Sequence, residues 1–180
     1  MEVTKLLSLF AIYFILLHNQ ITFAQQGNDL INKVCETIPN KDLCIQVLNS
    51  DPLSKSATLT DLALISLRVA ASNATGILTD VKIMIDDPDL EPEIQQGLSD
   101  CKETLLDAEG QLEDSVAAIL SNTKNDVQLW LQAALAAIDT CDASIPGDDD
   151  ILSKRSVAFR ELCNIAVAVS KNLGPDDQAA

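Results

Sequence analysis

Five cysteines are the residues of this 180-residue chain with the clearest capacity for chemistry. A thiol can form a disulfide, bind a metal ion or act as a nucleophile, depending on its neighbours and its compartment. No two cysteines have the spacing Cys-x2-Cys, and the only histidine is His18, so a zinc site is not expected. The acidic segments at 86–93 and 147–150 lack the ligand spacing of a calcium loop. We therefore expect neither a metal nor a cofactor, and the compartment decides whether the thiols are oxidised.

The N-terminus has the features of a secretory signal peptide over residues 1–24. Lys5 precedes an apolar run at residues 6–17, and Thr22 and Ala24 occupy the −3 and −1 positions of a cleavage site. The run is too short to span a bilayer, and no second apolar stretch of about 18 residues is evident downstream. We predict a secreted, soluble mature chain of residues 25–180, in which cysteines can form disulfides.

Removal of the signal peptide leaves a mature chain that is acidic and contains no histidine. It retains 26 acidic and 11 basic side chains, so its net charge stays at −15. Without an imidazole, a Gly-rich nucleotide loop or a G-x-S-x-G motif, it lacks the usual catalytic groups. So large a negative charge repels nucleic acid and anionic membranes and favours basic partners. We therefore expect a protein that is not an enzyme and that binds neither nucleic acid nor a membrane.

Hydrophobic periodicity predicts an all-α protein, because apolar residues recur at intervals of three and four through most of the mature chain. Thr58 or Thr60 is suited to cap the first long helix, and Pro92 is suited to the first turn of the second. The four long helices are predicted at about 58–85, 90–120, 127–145 and 152–173. Amphipathic helices joined by such short connections favour an up-and-down four-helix bundle, here over residues 58–174.

Cys101 and Cys141 fall on the apolar seams of the second and third long helices. The seams have alternating spacings of four and three and comprise Ile94, Leu98, Cys101, Leu105, Ala108, Leu112, Ser115 and Ile119, then Val127, Leu131, Ala134, Ile138, Cys141 and Ile145. The two cysteines are equidistant from residue 121 in the intervening turn, each about 30 Å away along its helix. In an antiparallel hairpin they meet, so we predict a Cys101–Cys141 disulfide.

Cys35 and Cys44 are placed in the same way about the Pro39-Asn40 step, where proline ends one short helix and asparagine caps the next. We predict a Cys35–Cys44 disulfide that staples a helical hairpin over residues 27–50, since helices this short are not stable alone. Cys163 is left over on the last helix. Because its helical neighbours are apolar, we expect a buried free thiol, with an intermolecular bridge or a redox role as the alternative.

Four segments of the mature chain share the pattern of a known family. They are the Cys-x8-Cys stretch that continues into NKDLCIQVLNSDP, the cysteine pair forty residues apart, DVQLWLQAALAAIDTC at 126–141, and ELCNIAVAVSKNL at 161–173. Together they resemble the plant invertase and pectin methylesterase inhibitors, over essentially the whole mature chain. The resemblance implies an N-terminal helical hairpin packed on a four-helix bundle. It also implies cysteine pairing from first to second and third to fourth, which agrees with the pairing inferred from helix geometry.

The resemblance further implies a protein that covers the pectin-binding cleft of pectin methylesterase in a one-to-one complex, without any chemical step. Family positions that contribute to the covering face match Glu103, Asp107 and Thr140 in this sequence. Asp114 lies on the same outward helix face as the two acids, so we include it in the predicted acidic stripe. A solvated helix face is the alternative interpretation of this stripe. Two positions depart from the family pattern: Gly110, where an acid is usual, and Leu105, where an aromatic residue is usual.

The choice of target rests on residues after the middle turn of the bundle. Invertase inhibitors often carry Pro-Lys-Phe there, whereas this chain has NDVQLW at 125–130, which favours pectin methylesterase. Acid invertase is the alternative target, and a non-inhibitory apoplastic protein on the same scaffold is a third possibility. We expect a monomer when unbound, located in the apoplast or cell wall, with the vacuole as an alternative. Asn73-Ala74-Thr75 is an N-glycosylation sequon in the middle of a predicted helix, so its use requires that Asn73 point outward.

Overall fold

The computed structural model describes Tyr13 and residues 27–147 and 150–174. The predicted signal peptide at 1–24, apart from Tyr13, and its cleavage site lie outside the described residues. Across 27–147 and 150–174 every regular element is helical, which confirms the predicted all-α class. The elements are α1 at 27–35, α2 at Lys41–Leu48, a 3-10 helix at Pro52–Ser56, α3 at Leu59–Ile85, α4 at Pro92–Leu120, α5 at Lys124–Ser144 and α6 at Asp150–Lys171.

The N-terminal hairpin consists of α1 and α2, and it bends where the sequence predicts. Asn40 is the N-cap of α2, and its side-chain oxygen accepts a hydrogen bond from the backbone N–H of Leu43 at 3.3 Å. The Sγ atoms of Cys35 and Cys44 lie 1.92 Å apart in a disulfide across this bend. The side-chain nitrogen of Asn40, Nδ2, also donates to the carboxylate of Glu161 at 3.3 Å, which joins the hairpin to α6.

The first long helix, α3, begins with the predicted cap. Thr58 Oγ1 accepts from the N–H of Asp61 at 3.2 Å, and Asp61 Oδ2 accepts from the N–H of Thr58 at 2.8 Å, so two otherwise unpaired donors are satisfied. By length and composition alone, α3 could cross a membrane. The sequence-based prediction that no apolar stretch of about 18 residues follows the signal peptide is therefore wrong. Half of that stretch is buried inside the fold, as in the core helix of a bundle.

The helices α3 to α6 form the four-helix bundle, in which each helix packs against two others. Its neighbouring pairs are α3 with α4, α4 with α5, α5 with α6, and α6 with α3, so α3–α6 and α4–α5 are opposite sides of the bundle. The predicted seams line the core: all of their residues are buried except Ile94, which is half-buried. Phe159 is also fully buried, whereas Trp130 packs on the core while remaining partly exposed.

The predicted starts of three long helices are displaced by two or three residues, and that of the last helix moves from 152 to Asp150. The second long helix begins at Pro92 rather than about 90, because the N–H of Leu90 bonds to the carbonyl of Asp87 at 3.3 Å in a turn before the proline. The third begins at Lys124 rather than 127, since its first turn is polar and carries no apolar periodicity. These shifts are small because the predicted seam residues, which determine how the helices pack, are the ones that the structure buries.

Candidate functional site

The antiparallel pair α4–α5 holds the predicted partner-binding residues, and the Cys101–Cys141 disulfide fixes its middle. The two Sγ atoms are 1.99 Å apart and the two Cα atoms 4.0 Å apart. Both residues are fully buried in the seam. The bond therefore sets the distance and relative height of the two helices, as expected from their equal separation from the turn.

A glycine brings the far ends of the pair into close contact. A Cβ atom added to Gly97 of α4 would lie 2.4 Å from the carbonyl oxygen of Ser144 and 2.9 Å from the Cα of Ile145, closer than real atoms approach. The hydroxyl of Ser144 donates to the carbonyl of Gly97 at 2.9 Å. Gly97 lies inside a helix next to a seam residue, Leu98, and a glycine in that place often has a packing reason.

The turn between α4 and α5 closes the other end. Asn122 adopts a left-handed conformation with φ of 59°, which asparagine tolerates better than most residues. The N–H of Thr123 then bonds back to the carbonyl of Ala118 at 2.9 Å. With a turn, a disulfide and a glycine contact along its length, the α4–α5 pair presents its outer surface on a rigid frame.

The outer surface of α4 carries Glu103, Asp107 and Asp114, which we call the α4 acidic stripe. All three are exposed, and their spacings of four and seven residues place them on one face of the helix. Glu103 forms an ion pair with its neighbour Lys102 at 3.2 Å. Asp107 and Asp114 have no ion pair within the described part of the chain. The stripe thus keeps most of its charge unneutralised.

The two departures from the family pattern differ in consequence. Gly110 lies within the stripe, and a Cβ atom added there would meet no atom of the described residues within 4 Å, so the position is open to a side chain. Leu105 is fully buried in the seam. An aromatic contact with a partner is therefore absent at position 105, because the side chain fills the core instead.

Thr140 of α5 is exposed, and its hydroxyl donates to the carbonyl of Ala136 at 2.9 Å. Thr140 precedes Cys141 and Glu103 follows Cys101 by two, so chain geometry limits their Cα atoms to about 15 Å apart. Leu129, which is 60% exposed, lies eleven residues, or about three turns, before Thr140 and shares its face of α5. We call the α4 acidic stripe and Thr140 together the docking face.

The acids on the other side of α5 differ from those of the stripe because a cation pairs with them. Arg160 of α6 bonds to Asp139 at 2.8 Å and also to Asp142, while Ser156 donates to Asp142 at 2.6 Å. Burial alone would lower the pKa of Arg160, but the hydrogen bonds to the two carboxylates outweigh it and raise the pKa. This contact joins α5 to α6, and sequence spacing alone could not reveal it.

The remaining predicted residues lie away from the docking face. Cys163 is fully buried on α6 with no disulfide partner among the described residues, and burial raises the pKa of its thiol from 9.0 to about 12. Asn73 is half-buried on α3. No group of three or more potential metal ligands occurs in the part of the chain that the structure describes.

Two features were missed in the sequence. Leu129 falls outside the apolar seam, so an exposed leucine here could have been noticed from its helix position. Gln111, one turn after Asp107, has a buried Oε1 atom with no hydrogen-bond partner among the described residues. No sequence signal identifies it, because its burial depends on how closely the neighbouring helices approach.

With this geometry in place, comparison with known proteins decides the family. The sequence model described as plant invertase/pectin methylesterase inhibitor matches residues 29–169. The chain belongs to this family. Its members are named as inhibitors of enzymes, which confirms that this chain is an inhibitor of the pectin methylesterase or invertase type and not an enzyme.

Relatives of this inhibitor include proteins named for each target. It is 28% identical over 171 residues to a pectinesterase inhibitor from Actinidia deliciosa, covering 92% of this chain and 90% of the relative. It is 26% identical over 179 residues to a putative invertase inhibitor from Platanus acerifolia, covering 97% and 99%. The crystal structure of a mutant form of a pectin methylesterase inhibitor from Arabidopsis matches with a TM-score of 0.68 at 24% identity, covering 80% of this chain and 97% of that one. The inhibitor therefore has the family's fold.

Proposed function

We propose that this inhibitor blocks pectin methylesterase by covering the enzyme's pectin-binding cleft with the docking face, in a one-to-one complex. The observation that supports the proposal is the α4 acidic stripe, in which only Glu103 forms an ion pair within the described part of the chain. We further propose that the protein acts as a monomer secreted to the apoplast or cell wall, in keeping with its predicted signal peptide.

The physical basis is occlusion by a rigid surface. Because the α4–α5 pair is fixed by a disulfide, a turn and a glycine contact, binding requires little ordering of the backbone, which lowers the entropic cost of association. The net charge of −15 and the stripe favour rapid encounter with a basic surface, and this steering weakens as salt is added. No bond is made or broken, so inhibition is reversible.

Pectin methylesterase is preferred over acid invertase because of the residues after the middle turn. The segment NDVQLW lies in the first turns of α5, without the Pro-Lys-Phe stretch that many invertase inhibitors carry at this place. The relatives include proteins named for both targets, so the choice requires a direct assay.

Mixing the purified mature protein with each enzyme separates the candidate functions. We expect a loss of pectin methylesterase activity at near-equimolar inhibitor, with acid invertase unaffected. Inhibition of invertase alone would assign the protein to the other target. If both enzymes remain fully active over their working pH ranges, the protein is a non-inhibitory member of the family.

The docking face is tested by reversing two charges of the stripe. For the double variant Glu103→Lys and Asp107→Lys, we expect an inhibition constant for pectin methylesterase about tenfold or more higher, because two favourable charges become repulsive. The substitutions remove the exposed ion pair between Lys102 and Glu103, which contributes little to stability. Positions 103 and 107, at i and i+4 on the helix, carry two like charges before and after the change, so their mutual repulsion is similar. Helical content and melting temperature should stay unchanged.

A matched control changes the net charge equally at a remote place. Asp29 and Glu36 are exposed acids of the N-terminal hairpin region, so Asp29→Lys with Glu36→Lys alters the net charge by the same amount without touching α4 or α5. We expect this control to inhibit almost as well as the wild type. Equal inhibition by both double variants would eliminate the stripe as a contact surface.

A further inference from the structure

A groove runs between α3 and α6, on the side of the bundle opposite the docking face. It has a volume of about 500 Å³, within the range of sites that hold a small ligand. Asn73, the first residue of the sequon, lies in it. The other lining residues are Arg68, Val69, Ser72, Gly76, Arg155 and Leu162.

The amide group of Asn73 is incompletely satisfied in the bare protein. Its Oδ1 atom is buried and has no hydrogen-bond partner among the described residues. The side-chain nitrogen, Nδ2, is not among the buried unpartnered atoms of the described residues, and the residue itself lines the groove. Nδ2 is the atom to which an N-linked sugar is attached.

We propose that Asn73 carries an N-linked glycan whose first sugar lies in the α3–α6 groove. The groove offers both surfaces that a sugar ring requires. Val69 and Leu162 are apolar and suit the C–H face of the ring, while the guanidinium groups of Arg68 and Arg155 carry several N–H donors for ring oxygens. Each arginine is held in place by an ion pair, Arg68 with Asp51 and Arg155 with Asp80.

Gly76 provides the space next to Asn73. Of the atoms that the structure describes, a Cβ atom added there would have only Nη1 of Arg155 within 4 Å, at 3.8 Å, so no backbone contact among them requires a glycine. The position lies three residues after Asn73 and hence on the same side of α3. A larger side chain at this position would occupy the groove beside the glycosylated nitrogen.

The folded helix separates the two residues of the sequon that modification must recognise together. The hydroxyl of Thr75 bonds to Glu109 of α4 at 2.6 Å, whereas Asn73 lines the groove with α6. Residues i and i+2 lie on one side of an extended chain but about 200° apart on a helix. Glycosylation must therefore precede the formation of α3, while the chain is still extended in the secretory pathway.

The reaction is a group transfer from a lipid-linked diphospho-oligosaccharide. The bond between the anomeric carbon and the phosphate oxygen breaks, and the lipid diphosphate leaves with that electron pair. The anomeric carbon bonds to Nδ2, which loses one proton. The reaction changes only Nδ2, which exchanges an N–H bond for a bond to carbon, and Asn73 Oδ1 remains a carbonyl oxygen in the product.

The first experiment identifies the modification. The full chain is expressed in a plant secretory system, and the peptide containing Asn73 is analysed by mass spectrometry before and after enzymatic deglycosylation. We expect a glycan on most molecules of the wild type and of Thr75→Ser, and none on Thr75→Ala. Recovery of Asn73 predominantly unmodified from the secreted wild type would overturn the proposal. Efficient glycosylation in vitro of protein that has already folded without a glycan would contradict the proposal that glycosylation precedes the formation of α3.

The second experiment tests the groove. An endoglycosidase trims the glycan to a single sugar, and the melting temperature is compared with that of unglycosylated protein made in a bacterial periplasm. We expect the sugar to raise the melting temperature by about 2–4 °C, and to have a smaller effect in Gly76→Leu. Gly110→Leu is the control, since a Cβ atom at Gly110 would meet no described residue within 4 Å and the position is distant on α4; the effect of the sugar should persist there. An equal increment in both variants would place the sugar outside the groove.

Inhibition provides an independent readout. Because the α3–α6 and α4–α5 sides are opposite in the bundle, we expect glycosylated and single-sugar proteins to inhibit the target enzyme equally. A large difference would contradict the placement of the glycan. If no enzyme is inhibited at all, the proposed function fails, while the mass and melting measurements still decide the glycan proposal.

Discussion

At the scale of single residues, burial decides which side chains remain reactive. Cys163 is a free thiol whose pKa rises from 9.0 to about 12, because its apolar surroundings disfavour the thiolate. The four other cysteines are paired in disulfides. An odd cysteine can link two copies of a protein through a disulfide, but a thiol with no exposed surface reaches no partner without unfolding.

Alkylation of Cys163 should therefore report the opening of the fold. At pH 8, with iodoacetamide and no reductant, we expect one equivalent of label to be taken up promptly in denaturant. In the native protein, labelling should be at least about a thousandfold slower, since it must await a rare open state. Mass spectrometry measures both rates, and Cys163→Ala is the control that takes up no label. Fast labelling of the native protein would contradict the burial of Cys163 in the core.

At the scale of secondary-structure elements, local capping determines where α3 begins. Thr58 and Asp61 satisfy each other's backbone donors, and removal of the threonine hydroxyl leaves one donor unpaired. We expect Thr58→Ala to destabilise the protein by about 1 kcal/mol, measured by urea unfolding. Thr79→Ala on the exposed side of the same helix is the control. Among the described residues the Thr79 hydroxyl bonds only to the carbonyl of Thr75, and alanine is a better helix former. Losses of equal size would show that the capping box contributes nothing.

The elements also show what the sequence can and cannot predict. The heptad-like seams and the N-cap at Thr58 were predictable because periodicity and capping are local properties. The cysteine pairing was predictable because an antiparallel hairpin brings together residues that are equidistant from its turn. The contact at Gly97, the pairing of Arg160 with two carboxylates and the groove at Asn73 were not, because each depends on how two distant segments approach. The docking face was predictable in part. The exposure of its side chains follows from helix periodicity, but whether the surface fits a partner depends on the partner's shape, which the sequence of this chain does not contain.

At the scale of the whole molecule, charge is distributed unevenly around the bundle. On the α5–α6 side, Arg160 neutralises Asp139 and Asp142, and on the α3–α6 side two arginines line the groove. The α4 acidic stripe has no comparable cation among the described residues. The negative charge of the α4 acidic stripe is therefore less compensated than that of the acids on these two sides, and the stripe is the surface proposed to meet the enzyme.

The two disulfides stabilise the molecule at different levels. Cys101–Cys141 closes a loop that spans most of two bundle helices, and the loop-closure estimate for such a length is about 4 kcal/mol. Cys35–Cys44 closes a short loop, for which the estimate is about 2.7 kcal/mol. It joins two helices of fewer than ten residues that would not persist alone, while α3 to α6 share their own core.

Removal of each disulfide should therefore produce a different kind of loss. For Cys101→Ala with Cys141→Ala, we expect global unfolding to shift to lower urea, since both halves of the bundle core depend on the α4–α5 distance. For Cys35→Ala with Cys44→Ala, we expect rapid hydrogen exchange confined to residues 27–48 and a smaller shift in the urea midpoint. This second variant should still inhibit the target enzyme, because its docking face is intact. If the second variant instead loses hydrogen-exchange protection throughout the bundle, the hairpin and the core unfold as a single cooperative unit. In that case α2 stabilises α3 and α6 as much as they stabilise α2.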